Sequence, residues 1–89
     1  MKALLPVATG NEEIEFCALV DVLRRADVDV TVVSVESLDT VALQKGLRIV
    51  PDANLEQVSD ETWDAIVMAG DIMPVEVCSV QSAFLLRWY

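Results

Sequence analysis

The run Val28-Asp29-Val30-Thr31-Val32-Val33-Ser34-Val35 is largely β-branched and partly alternating, a composition that suits a pleated, buried strand and little else. A helix-length segment precedes it. Before that lies another apolar run, Lys2 to Ala8 (KALLPVA), of the kind expected for a strand buried on both faces of a parallel sheet. Strand, helix and strand in that order make a βαβ unit, so the crossover is right-handed and the two strands lie parallel. Pro6 has no N–H, so it fits a central strand only where that ladder bond is not needed.

The turn that leaves the first strand reads Ala8-Thr9-Gly10-Asn11-Glu12-Glu13-Ile14-Glu15. Either Thr9, with Glu12 three residues on, or Asn11 can cap the helix that follows. Acids suit a helix N-terminus, where the free N–H groups and the macrodipole favour negative charge by ~0.3–1 kcal/mol each. Glu12 and Glu13 need nothing more. Glu15 differs, because at helical spacing it lies above Leu19, Val22 and Ala26 and so heads an apolar stripe with an ionisable group. A carboxylate so placed near a loop mouth is either one more N-terminal acid or a functional group, and pattern alone leaves both open.

From about Glu12 to Ala26, Phe16, Leu19, Val20, Leu23 and Ala26 fall on one helical face, while Ile14, Cys17, Ala18 and Val22 occupy much of the remainder. A helix this apolar is expected to be covered on more than one side, with Cys17 a core thiol. Arg24 and Arg25 suit the C-terminal end of the dipole. Val41 to Leu43 and Leu47 to Val50 flank Gln44-Lys45-Gly46 and predict a hairpin. Asn54 to Val58 allows one or two turns of helix, and Trp63 to Gly70 reads as a third core strand. The simplest strand order is 2-1-3, which puts Gly10 to Glu15 near Gly70 at the switch point where ligands bind in such sheets. From Asp71 to Tyr89 neither a helical stripe nor a clean alternation is visible, which divides the chain into 1–70 and an apolar tail, 71–89.

At 89 residues the chain holds at most one domain, and its 54% hydrophobic content is high for that length, which implies surface meant to be covered. A formal charge of −9 with six Lys and Arg lacks the basic footprint that nucleic acid or an anionic membrane requires. The apolar runs fall short of the ~20 residues of a membrane span, and the N-terminal residues do not read as a signal peptide, so the expected location is the cytoplasm. Cys17 and Cys78 have no metal-ligand spacing, no cofactor motif is present, and with no histidine the chain supplies no Cys-His pair.

Three segments resemble one known family: KALLPVATGNEEIEFCALVDVLRRADVDVTVVSV, the hairpin ending GLRIVPDANLEQV, and WDAIVMAG. The ordered combination of A-x-G-x-E-E-x-E, V-D-V-L-R-R-A and V-P-D-A-N-L is similar to the DJ-one/ThiJ/PfpI family, over residues 2 to about 70. That resemblance implies a flavodoxin-like α/β fold, a parallel sheet with helices on both faces, of which this chain carries the N-terminal half. It also implies a homodimer and cysteine-dependent chemistry on small reactive aldehydes or their adducts, of the glyoxalase, deglycase or redox-protective kind. By resemblance, Glu15 is the glutamate that hydrogen-bonds the reactive cysteine and tunes its ionisation. Gly70 is the first glycine of the backbone turn that faces the substrate oxyanion. Asp71 stands where the family has a second glycine, and a negative side chain there opposes an anion. The family's nucleophile elbow and histidine lie further along than these 89 residues, and the strand at 64–69 would keep an open edge. The resulting expectation is a family member with an incomplete site; an interaction module pairing with itself or a longer relative comes second, and an enzyme that recruits Cys78 beside Glu15 third.

Overall fold

β1 (Lys2–Val7) is the central strand, with every residue from Ala3 to Val7 buried. A computed structural model describes residues 1–69 and the backbone of 86–88, and the account below concerns those residues. β1 pairs in parallel with β2 (Asp29–Ser34) along its whole length and with β6 (Ala65–Met68) on its other side. The full sheet runs β5-β2-β1-β6-β7, where β5 is Ala53–Asn54 and β7 is Leu86–Trp88, and every pairing in it is parallel. The 2-1-3 order of the core strands is therefore as the sequence indicates. β5 escapes sequence reading because two residues after a proline carry no periodicity.

Alternation along β1 accommodates Pro6. Lys2 directs its backbone groups toward β6, exchanging hydrogen bonds with Asp64, whereas the Met1 and Val7 carbonyls accept from β2 and its extension. Pro6, in phase with Lys2, turns its missing donor to the β6 side, where the paired residues of β1 are Ala3 and Leu4. The ladder to β2 stays unbroken.

The same alternation builds two cores. Leu5, Val7, Val30, Val32, Ala65 and Val67 face α1 (Glu13–Arg25), which buries Phe16 among them and rests Leu19, Val20 and Leu23 against them. Leu4, Val33, Val35, Ile66 and Met68 face the opposite way, toward Leu55 and Val58 of a 3₁₀ turn (Leu55–Val58) and Trp63. Among the described residues it is this short turn and Trp63, rather than a second α-helix, that cover the second face. A hairpin of β3 (Val41–Ala42) and β4 (Arg48–Ile49) forms as its sequence predicts and packs Val41 and Leu43 into the α1-side core.

Three expectations need correction. The helix is covered on one side only, with Ile14 77% and Val22 61% exposed. Cys17 is exposed and not a core thiol: it sits about 100° around the helix from Phe16, away from the side that meets the sheet. The outer edge of β6 is not open, since β7 pairs with it from Ile66–Leu86 to Met68–Trp88. Strand edges carry unsatisfied N–H and C=O groups, and a neighbouring strand is the cheapest way to bond them.

α1 ends in a Schellman motif. Val28 N–H donates to the Leu23 carbonyl and Asp27 N–H to the Arg24 carbonyl, with Asp27 at φ 61 in the left-handed region. Glycine occupies that region without the Cβ penalty. Asp27→Gly should therefore raise stability by about 0.5–1 kcal/mol, read from the midpoint of chemical denaturation, and a fall in the midpoint would show that the Asp27 side chain contributes more than its backbone strain costs.

Candidate functional site

β1 sends its chain to β2 on one side, and the next core strand, β6, returns on the other. All run parallel, so the carboxyl ends of β1 and β6 share one edge, and the turn from Ala8 to Glu12 leaves β1 at the point where the strand order reverses. That is where the sequence places the site.

Side chains hold this turn in place. Asn11 is 4% exposed; its Oδ1 accepts from Ala8 N–H at 2.8 Å, and its own N–H donates to the Ala8 carbonyl at 3.1 Å. The Asn11 carbonyl accepts from Gln44 N–H at 2.9 Å, and Gly10 N–H donates to the Ala42 carbonyl, so the turn is bonded to the hairpin. Gly10 has φ +93, which its lack of a Cβ permits. Thr9 N–H donates to Glu36 Oε1 at 2.6 Å, tying the end of β1 to the segment after β2.

The helix cap is neither Thr9 nor Asn11. Glu12 is the N-cap, and its carboxylate accepts from Glu15 N–H at 2.8 Å. Asn11 is already engaged with Ala8, and Thr9 lies too far back along the turn. Glu13 reaches the other way, its Oε2 accepting from Lys45 N–H and Leu47 N–H in the hairpin turn. From the sequence alone Glu13 needs nothing beyond the dipole and Asn11 is a possible cap. An asparagine directly after a turn glycine is the available signal for the second; nothing in the sequence marks the first.

Glu15 stands on the first turn of α1, at the switch point, with its side chain exposed and free of side-chain hydrogen bonds or ion pairs among the described residues. The stripe it heads is not a buried one, because Val22 and Ala26 are exposed and Leu19 is only half-buried. Cys17 is not brought to Glu15, since residues two apart on a helix do not face each other. Cys17 instead lines a cleft of about 360 Å³ between α1 and β4, together with Phe16, Val20, Arg24, Val50 and Asp52. Gly70, Asp71 and Cys78 lie outside the described residues. Among the described residues no cluster of His, Cys, Asp and Glu is arranged to hold a metal ion, and no helix is long and apolar enough to cross a membrane. What the described turn offers chemically is a free carboxylate, Glu15, on a backbone fixed from several directions.

Comparison with known proteins gives this arrangement a setting. The DJ-1/PfpI family model matches residues 1–82, past Gly70. Among curated relatives, DJ-1 homolog B of Arabidopsis thaliana is 41% identical over 71 residues, covering 80% of this chain and 16% of the relative. Dj-1beta of Drosophila melanogaster is 39% identical over 70 residues, covering 79% of this chain and 37% of the relative. Among solved structures, oxidised Toxoplasma gondii DJ-1 superposes with a TM-score of 0.88 at 29% identity, covering 98% of this chain and 54% of that one. Drosophila DJ-1beta gives 0.86 at 30%, covering 98% and 53%. The chain thus spans about half the length of these solved relatives and less than half that of the curated ones.

The geometry separates the roles of neighbouring side chains. Asn11→Ala removes the acceptor of a buried N–H and should cost about 1–3 kcal/mol in denaturation experiments. Glu15→Gln should leave the midpoint unchanged or raise it, because the side chain has no partner among the described residues and carries one of several crowded negative charges. A large loss on that substitution would show that Glu15 has a structural partner.

Proposed function

Because the chain belongs to the DJ-1/PfpI family, we propose that it carries the glutamate half of a cysteine-dependent site of the glyoxalase, deglycase or redox-protective kind. Its substrates would be small reactive aldehydes or their adducts. The observation that carries the reading is the position of Glu15: on the first turn of α1, at the switch point, with an exposed carboxylate that has no partner among the described residues, on a backbone that Glu12 bonds. In this proposal Glu15 hydrogen-bonds the reactive cysteine and tunes its ionisation, while Gly70, which follows β6 in the sequence, would by resemblance supply the backbone N–H that faces the substrate oxygen. Such chemistry needs an exposed, activated thiolate beside its substrate. Cys17 is exposed but does not face Glu15, and no histidine is available. On this reading the chain by itself holds an incomplete site and acts in the cytoplasm.

A second reading, an interaction module that pairs with itself or with a longer relative, is favoured by a separate observation. Ile14, Val22 and Val50 are 77%, 61% and 77% exposed, a large apolar exposure for a chain of this size. A homodimer satisfies both readings.

Incubation of the purified chain with methylglyoxal, followed by intact mass and aldehyde consumption, tests the first reading. The expected result is stoichiometric adducts without turnover. Catalytic consumption abolished by Glu15→Gln and Cys78→Ser would overturn the incomplete-site reading in favour of an enzyme that uses Cys78. Sedimentation of the same material should show a dimer, reduced toward monomer by Val22→Glu; a monomer at all concentrations would overturn the pairing.

A further inference from the structure

The β3–β4 hairpin cannot hold itself in place. Each strand is 2 residues long, and isolated hairpins are marginal even when longer. β3 is bonded to the turn after β1 through the Ala42 carbonyl, and the hairpin's own turn through Gln44 N–H, which donates to the Asn11 carbonyl; among the described residues Glu13 is the α1 side chain that bonds the far side of that turn. Glu13 Oε2 accepts from Lys45 N–H at 2.6 Å and from Leu47 N–H at 3.3 Å, on either side of Gly46, whose φ of +93 makes the turn. Glu13 Oε1 is buried with no hydrogen-bond partner among the described residues. A buried carboxylate oxygen left unpaired is costly, and its cost is offset here by the charge-assisted bonds of the other oxygen.

We infer that Glu13 is a positioning residue that moors the hairpin tip to α1 and thereby sets access to the cleft between α1 and β4. The walls of that cleft carry Cys17, Phe16 and Val20 on the helix side, and Ile49 and Val50 on the hairpin side. Release of the tip frees β4 to move, and the Cys17 thiol is the reporter in the opposite wall. The inference goes beyond the Glu15 chemistry and does not depend on it, since neither observable below requires turnover.

The test compares the full chain with its Glu13→Gln and Glu13→Ala variants, all carrying Cys78→Ser so that Cys17 is the single thiol. Residue-resolved amide exchange and the rate of Cys17 alkylation by iodoacetamide are the readouts. Glu13→Ala should speed exchange at Lys45 and Leu47 by about tenfold or more, with β1 and β2 amides unchanged, and should alter Cys17 alkylation by about threefold. Glu13→Gln keeps a neutral acceptor and should fall between the other two. Unchanged exchange at Lys45 and Leu47, an increase spread equally over β1 and β2, an unchanged Cys17 rate, or Glu13→Gln as fast as Glu13→Ala would each overturn the inference. Should Glu13→Ala fail to fold, Glu13→Gln against the parent decides: a rise confined to the hairpin tip supports the mooring, and identical profiles overturn it.

Discussion

The two-sided burial of β1 governs this molecule. A strand with no face and no edge in water must bond its backbone to neighbours on both sides. β2 supplies one neighbour over the full strand and β6 the other. Parallel pairing to β2 forces the chain to return along the outside of the sheet, and α1 is that return. Pairing to β6 on the far side reverses the strand order at β1. The turn after Val7 therefore lies at the reversal, whatever residues it carries.

Among the described residues, five of the chain's fifteen acidic side chains accept hydrogen bonds from backbone N–H groups. Glu12 accepts from Glu15 N–H, Glu13 from Lys45 and Leu47, Glu36 from Thr9, Asp52 from Val32 and Asp64 from Lys2. Each of these carboxylates satisfies a donor at a helix start, a loop or a strand edge, where regular secondary structure provides no acceptor. Asp52 also receives Arg24, which donates in addition to the Val30 carbonyl, so the end of α1, β2 and the start of β5 are tied at one carboxylate. An acidic composition here reads as a loop-bonding device as much as a surface charge.

The strands, the helix, the hairpin and the core order were legible because each is fixed by periodicity or turn chemistry: β-branching at Val28–Val35, Gly46 in the hairpin, the apolar run into Gly70. The readings that failed share a cause. Cys17 and Val22 are apolar residues on a helical surface, and hydropathy alone cannot say how many layers will be laid over a helix. β5 and β7 are too short to carry a pattern; pairing with a neighbour defines them. The cap falls to Glu12 in place of Asn11 or Thr9 because the Asn11 side chain accepts from Ala8 N–H within the turn, a choice between two local acceptor roles that the sequence pattern does not decide.

The same choice sets Glu15 apart from its neighbours. In the segment from Asn11 to Glu15, Asn11 is committed to Ala8, Glu12 to the helix cap and Glu13 to the hairpin. Each of these commitments immobilises the backbone on which Glu15 stands, and Glu12 does so by bonding the Glu15 N–H itself. A hydrogen-bonded backbone whose side chain has no partner among the described residues lets that side chain meet an incoming group without first breaking a bond of its own. Had Glu15 been the cap, its carboxylate would be held by a backbone donor. The division of labour among the three glutamates, decided by which donors the turn after β1 leaves unsatisfied, is therefore what leaves the Glu15 carboxylate without a bond among the described residues.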